Sequence, residues 1–351
     1  MTPRRRVEMA LRGERPDKVP FTIYDSMLPQ CAAERRLRNE GLCIVKRMSV
    51  YSTHSPNVRT EAVPFTENGV SYVRRIVRTP VGELFTIERP AGFTTWHIKK
   101  LFQKPEDYKA LMFMVKDQRV EPNYEPYAKA EREFGEDAIF RAALGATPLH
   151  EIMISWMGVE TFAVEWAERR DEIEKLYQAM VEKRREVYPI VAQSPALHSN
   201  YGGNETGSVM GRERFEKYVL PNYLEAAEVM HQHGKFVGAH LDGLNKVWAE
   251  IVAKSNLDYV EAFTPAPDSD MSMADAFRAW PGKLLWIHFP SSVQLARHEV
   301  IAETARQIIR ASAPDHRLVI GITENIPEDR WQQNLLTISR VINEEGVYPL
   351  R

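Results

Sequence analysis

The chain has only two cysteines in 351 residues, Cys31 and Cys43. They do not form a zinc-type pair and cannot build a disulfide framework, which fits a reducing, cytoplasmic setting. Long apolar runs are also missing. A membrane-spanning helix needs ~20 apolar residues, and the run from Ala110 to Val115 is about as long as they get. No apolar stretch follows the basic N-terminus, as a secretory signal would require. An excess of one charge is absent too. Forty-six Lys and Arg against 48 Asp and Glu leave a net charge of −2, so there is no electrostatic case for nucleic acid or an anionic membrane. No G-x-G-x-x-G follows a strand pattern and no Walker-type loop occurs, which argues against a Rossmann fold. No Gly-rich linker splits the chain and no short repeat is present. One domain over residues 1–351 is therefore expected.

What is present is alternation. An Arg-rich helix up to Gly13, with Arg4, Arg5 and Arg6 read as a solvated face, precedes a first strand at Phe21–Tyr24. β-rich segments flank Thr79-Pro-Val-Gly82 and predict an antiparallel hairpin, an elaboration at about 60–100. From about residue 138, strand-like and helix-like segments take turns. The strands are expected at Ile139–Leu144, from Ala196 to near Asn200 and Tyr201, at Phe236–Ala239, Tyr259–Phe263, Leu284–Ile287 and Leu318–Ile320. Between them, Ile173, Leu176, Tyr177 and Met180, then Phe215, Val219, Tyr223 and Met230, recur at helical spacing. Pro221 should kink or restart its helix. Strands separated by helices imply parallel pairing through right-handed crossovers. The fold class expected is α/β, a (β/α)8 TIM barrel with an N-terminal helical and β-hairpin elaboration.

Ligands bind such barrels at the C-terminal ends of the strands. Those ends carry polar residues one after another: Tyr201, Asn204 and Glu205; His240 and Asp242; Glu261; His288; and Glu324. The segment Gly234-Lys-Phe-Val-Gly-Ala-His-Leu-Asp-Gly243 is the most telling, because packing requires neither its imidazole nor its carboxylate. Each residue has a plainer reading. Asp242 could cap the next helix, and His240 could be a satisfied strand-end histidine. Glu261 is harder to dismiss, since an unpaired carboxylate in an apolar strand is costly. His231 and His233 stand two apart on a helix and do not share a face, so they are not read as a ligand pair.

These segments resemble the uroporphyrinogen decarboxylase superfamily, and more closely its methyltransferase-like branch. The resemblance rests on Arg5-Arg-Val-Glu-Met-Ala-Leu-Arg-Gly-Glu-Arg-Pro-Asp-Lys-Val-Pro20, on Gly211-Arg-Glu-Arg-Phe-Glu-Lys-Tyr-Val-Leu-Pro221 leading into Gly234-Lys and His240-Leu-Asp-Gly243, and on Glu261-Ala-Phe-Thr-Pro-Ala-Pro267 followed by Asp270-Met271. It implies a (β/α)8 barrel with its active site in the mouth. True uroporphyrinogen decarboxylases carry Arg-Gln-Ala-Gly-Arg after the first strand to hold a polycarboxylate. Here that region reads Tyr24-Asp-Ser-Met-Leu-Pro-Gln30, which argues against heme-pathway decarboxylation. The related methylcobamide:coenzyme M methyltransferases bind zinc through His-x-Cys and a later Cys. Here His240 keeps the histidine position, Asp242 replaces the first cysteine, and the later one is also missing near Ile322 or Thr323.

The resemblance implies a methyltransferase-like enzyme acting on a small methylated molecule, with a corrinoid protein as methyl acceptor. His240, Asp242 and Glu261 are the expected catalytic residues. Tyr201, Asn204, Glu205, His288 and Glu324 are the expected substrate contacts. A zinc ion on His240, Glu261 and Glu324 is one cofactor expectation, and no tightly bound cofactor is the other. Monomer and homodimer both remain open. Two alternatives stay open as well: a cofactor-independent decarboxylase of a small carboxylic acid, which would need Arg47, Arg74 or Arg141 in the mouth, and a non-catalytic binding subunit.

Overall fold

Eight short runs form the strands of a closed barrel in the computed structural model, which describes residues 1–350 apart from Phe93 and Pro314. They are β1 (Phe21–Tyr24), β2 (Leu42–Arg47), β3 (Ala138–Gly145), β4 (His198–Tyr201), β5 (Phe236–His240), β6 (Tyr259–Phe263), β7 (Leu284–His288) and β8 (Leu318–Ile322). Each strand pairs in parallel with the next, and β8 closes on β1. This is the expected (β/α)8 barrel. The strand at β2 was not foreseen.

The chain divides into two compact units, residues 1–50, 123–145 and 191–351, and residues 51–122 and 146–190. The first holds the whole barrel. In it, the helix His298–Ser312 buries Ile301, Ala305, Ile308 and Ile309, an apolar stripe at helical spacing. The helix Trp331–Glu345 does the same with Leu335, Ile338 and Ile342. Leu220–Gln232 starts afresh with Pro221 in its first turn, where the missing amide is harmless. Arg6 departs from the solvated reading of the N-terminal helix. It is 4% exposed, with Nε donating to Asp17 Oδ1 at 2.6 Å. Burial of its guanidinium is tolerated because it has this partner.

The second unit carries a four-stranded antiparallel sheet of Arg59–Glu67, Val70–Thr79, Gly82–Ala91 and Thr94–Lys99. The expected hairpin around Thr79–Gly82 is its central pair, in a sheet separate from the barrel. Among the described residues, no helix is long and apolar enough to cross a membrane.

Within the barrel, Tyr24, Cys43, Val45, Ile139, Tyr259, Leu284, Trp286 and Val319 belong to one buried cluster. These come from alternating strand positions, as inward-facing side chains must. Two glycines make room for two large rings. A Cβ on Gly238 would lie 2.2 Å from the Tyr259 ring, its register partner on β6. A Cβ on Gly321 would lie 2.8 Å from the Ile287 carbonyl and 3.2 Å from Trp286 Nε1. That indole nitrogen donates to Thr22 Oγ1 at 2.9 Å. Gly238→Ala should therefore overpack the barrel and destabilise it by about 1–3 kcal/mol or more, read as a lower urea midpoint with an unchanged m-value. An unchanged midpoint would show that the Tyr259 ring moves aside freely.

Candidate active site at the C-terminal ends of the barrel strands

Side chains from five strands meet around one carboxylate. Glu261, the third residue of β6, is 0% exposed. A carboxylate buried this deeply needs compensating charge and hydrogen bonds, and it has both. Tyr24, last in β1, donates its hydroxyl to Oε1 in a short hydrogen bond. Arg141 on β3 places Nη1 3.0 Å from Oε1. Asn200 on β4 donates Nδ2 to Oε2 at 3.0 Å. His240, last in β5, donates Nδ1–H to Oε2 at 2.6 Å. The Arg141 contact is an ion pair without hydrogen-bond geometry, so Nη1 remains a buried donor without a hydrogen-bond acceptor. A break in register follows Glu261, where Ala262 takes φ +58°. A bulge of this kind turns a strand end and re-aims its neighbours.

The surroundings set the protonation states. Burial alone would raise the Glu261 pKa, but the charges of Arg141 and His240 hold it far below the carboxylate range. Burial alone would lower the His240 pKa. The Glu261 charge and hydrogen bonding to Asp242 reverse this, raising it to about 10. His240 is therefore an imidazolium at neutral pH. One ring nitrogen is committed to Glu261; the other, Nε2, lies 3.5 Å from Asp242 Oδ2. Burial pushes the Tyr24 hydroxyl up, helped by the Glu261 charge, so it stays a proton donor.

Beneath this layer, Tyr259 ties the Asn200 amide in place. Its hydroxyl lies 2.6 Å from Asn200 Oδ1 and 2.9 Å from His198 Nδ1. His198 stacks on Trp286 at 5.6 Å. Burial, reinforced by the Arg141 charge, lowers its pKa to about 3, so this second imidazole is neutral.

The expected site residues separate into three groups. His240, Asp242 and Glu261 come together. Asp242 is not the helix cap of its plainer reading: Asp270 accepts from Asn245 N at 3.0 Å and from Lys246 N at 3.2 Å. His288 and Glu324 form a second group. The Thr323 amide donates to His288 Nδ1 at 3.0 Å, His288 Nε2 faces Ser291 Oγ at 2.9 Å, and Ser291 donates to Glu324 Oε2 at 2.5 Å. Burial depresses the His288 pKa against the pull of Glu324 and Asp268. A neutral ring that accepts at Nδ1 carries its proton on Nε2, so it donates to Ser291 and cannot activate it as a base.

The third group corrects the sequence reading. Tyr201 faces outward: its hydroxyl is 3.4 Å from Asn222 Oδ1 on the helix Leu220–Gln232, and its ring meets Tyr223. Strand alternation assigns the inward place to Asn200 instead. Glu205 is 0% exposed and accepts from its own loop, Gly203 N, at 2.9 Å. Asn204 is exposed at φ +62°, with its amide on the His240 carbonyl at 3.2 Å. The three-ligand zinc set does not fit either. Among the described residues, no three His, Cys, Asp or Glu side chains gather to hold a metal. Both Glu261 oxygens are taken and a guanidinium stands beside them. Glu324 is engaged with Ser291 and 53% exposed.

Tyr24 and Asn200 were missing from the expected site. Of the arginines named for the decarboxylase alternative, Arg141 reaches Glu261, and Arg47 has its Cζ 3.9 Å from the Tyr24 ring centroid. Arg74 lies in the second unit, over Phe85.

The architecture is that of a (β/α)8 barrel with a charged cluster at its strand ends. No protein family's sequence profile matches the chain, and no curated protein matches it in sequence. A solved methyltransferase from Methanosarcina mazei shares the fold over 98% of this chain and 99% of its own, with a TM-score of 0.59 and 11% sequence identity. An endo-β-1,4-mannanase from Thermotoga petrophila is similar more loosely, with a TM-score of 0.40 and 10% identity over 95% of this chain and 78% of its own. The first likeness establishes a common fold; the second is too loose to bear on the site.

Several outcomes are expected at the cluster. In an NMR titration the His240 imidazole should stay protonated through neutral pH, with a pKa near 10. In Glu261→Gln it should fall to about 6.5 or lower. An unchanged value in the variant would show that Glu261 does not hold the proton. The signs for stability follow from the same shifts. His240, raised on folding, contributes below about pH 6.5 in full and loses its contribution as pH climbs through about 10. Glu261, lowered on folding, contributes above its ordinary range and loses its contribution on acidification. Glu261→Ala should cost about 3–5 kcal/mol, because it leaves Arg141 buried without a counter-charge. Urea unfolding across pH measures all three.

Proposed function

We propose that this protein is a methyl-transfer enzyme of the methyltransferase-like branch of the uroporphyrinogen decarboxylase superfamily, in which His240 protonates the heteroatom that gives up a methyl group. The observation that carries this reading is the imidazole at the end of β5, seated against a buried carboxylate. Its Nδ1 is fixed by Glu261, and Nε2 is free of that carboxylate. A leaving alkoxide, aryloxide or thiolate develops negative charge as its methyl bond breaks, and a positioned acid that supplies a proton there contributes about 10²–10⁴ in rate. The fold shared with the Methanosarcina mazei methyltransferase supports the reading.

In the reaction, the bond from heteroatom to methyl carbon breaks, the methyl group passes to an external nucleophile, and the His240 proton goes to the heteroatom. Glu261 stabilises the charged ring before transfer, and Arg141 remains paired with Glu261 after it. Asp242 orients Nε2. We assign the nucleophile to a reduced corrinoid on a partner protein, which supplies a low-valent metal centre able to accept a methyl cation equivalent. The residues of this chain bind, orient and protonate the donor.

A second reading is favoured by Arg47 and Arg141: cofactor-independent decarboxylation of a small carboxylic acid. There the carbon–carboxyl bond breaks, CO2 leaves, and His240 protonates the carbanion. The two readings separate in one assay series. With a cob(I)alamin-bearing protein and methylated donors, the expected product is the methylcobalamin spectrum, formed about 10²-fold more slowly by His240→Gln. No methylcobalamin from any donor, beside a working positive control, would overturn methyl transfer. Release of CO2 from a carboxylic acid without any corrinoid would establish the second reading.

A further inference from the structure

Arg47 and Arg141 are register partners on β2 and β3, and both guanidiniums lie against Tyr24. Their Cζ atoms are 3.9 and 5.4 Å from its ring centroid. Side by side, two such charges repel. Glu261 neutralises Arg141. Arg47 is exposed, and among the described residues it meets no carboxylate; its guanidinium lies over the Tyr24 ring. The neighbouring cation on β2, Lys46, is different, since its ammonium is 2.6 Å from Asp25. At the site, three cations, Arg47, Arg141 and His240, thus face two carboxylates, Glu261 and Asp242. One positive charge is left over, on a planar fork whose geometry matches a carboxylate.

We propose that Arg47 is the specificity-determining residue of a monocarboxylate subsite, so that the substrate of this barrel carries a single carboxylate on the side away from the group His240 protonates. The proposal rests on the reading of the strand ends as a small-molecule site with His240 as its acid. Tyr24 links the two cations: Arg47 lies on its ring, while its hydroxyl is 3.4 Å from His240 Nδ1. A monoanion cancels the surplus charge and relieves the repulsion between the guanidiniums. A neutral substrate does neither, and a phosphate dianion overcompensates.

Isothermal titration calorimetry on the full chain tests this with benzoate, 4-methoxybenzoate, 4-methoxybenzamide and inorganic phosphate. The expected result is that both carboxylates bind at least tenfold more tightly than the amide and than phosphate. Arg47→Gln should abolish that preference, and Arg47→Lys should restore part of it. No carboxylate binding, equal affinity for acid and amide, tighter binding of phosphate, or full retention in Arg47→Gln would each overturn the subsite. Benzoate has no methyl group to give, so its binding reports on the anion subsite alone. Arg47-dependent benzoate binding without methyl transfer would support the subsite while removing methyl transfer. Methyl transfer from a neutral donor, indifferent to Arg47→Gln, would keep methyl transfer and remove the subsite.

Discussion

The barrel is organised around the burial of one negative charge. Moving a carboxylate out of water costs several kcal/mol even after the protein relaxes around it. Glu261 meets that cost only because β1, β3, β4 and β5 deliver Tyr24, Arg141, Asn200 and His240 to the same two oxygens. These strands are far apart in the chain, so no local segment could supply the set. Closure of the barrel in its observed register is what makes the charge tolerable. The charge in turn keeps a proton on His240 at a pH where a free imidazole would have lost it. Fold stability and the chemistry assigned to the site therefore draw on the same interaction.

A neutral layer lies under the charged one, and the two are linked by Asn200. An amide can present either end to a carboxylate, and only its NH2 end is attractive. The acceptor-only carboxylate of Glu261 takes the donor end, which leaves Oδ1 beside the Tyr259 hydroxyl, itself also 2.7 Å from the Ser199 carbonyl. Tyr259 can stand there because Gly238 has no side chain. His198, close to the same hydroxyl, contributes no charge of its own since burial keeps it neutral. A glycine on β5 is thus connected through one ring and one amide to the ionisation of a glutamate on β6. Outer partners that orient inner ones in this way are a general feature of functional sites.

The sequence disclosed most of the barrel, since strand runs alternating with helical stripes have few other solutions. β2 escaped because Leu42–Val45 is followed by Lys46 and Arg47, so the run looked too short and too polar to be a barrel strand. Those two residues are charged because they approach the mouth. The site was legible where a polar side chain interrupts an apolar strand, as with His240 and Glu261. It was misread at β4 by one residue. Asn200 and Tyr201 are both buried strand-end residues with polar groups, and choosing Tyr201 over Asn200 selects the opposite face, because strand side chains alternate. Tyr24 was hidden for a different reason, and so was the pairing of Arg141, named only for the decarboxylase alternative, with Glu261. A Tyr closing a strand and an Arg inside one are each ordinary, and their meaning lies in meeting Glu261 across 237 and 120 positions of sequence, which no spacing pattern displays.

The same cluster accounts for the departure at Asp242. In the resembling methyltransferases a histidine and two cysteines hold a zinc ion, and thiolate ligands with a soft dication suit the activation of a thiol. Here the positive charge around Glu261 comes from two monocations, Arg141 and His240. A dication beside them would face a guanidinium at close range and compete with both for the same oxygens. A cysteine at 242 would then have no metal to serve. An aspartate there does have a partner, since its carboxylate helps to keep the imidazole protonated. Asp242 and the arginine on β3 are therefore two parts of one electrostatic arrangement. Under the proposed methyl transfer it would deliver a proton to a departing heteroatom, where the zinc site of the resembling enzymes suits the generation of an attacking thiolate.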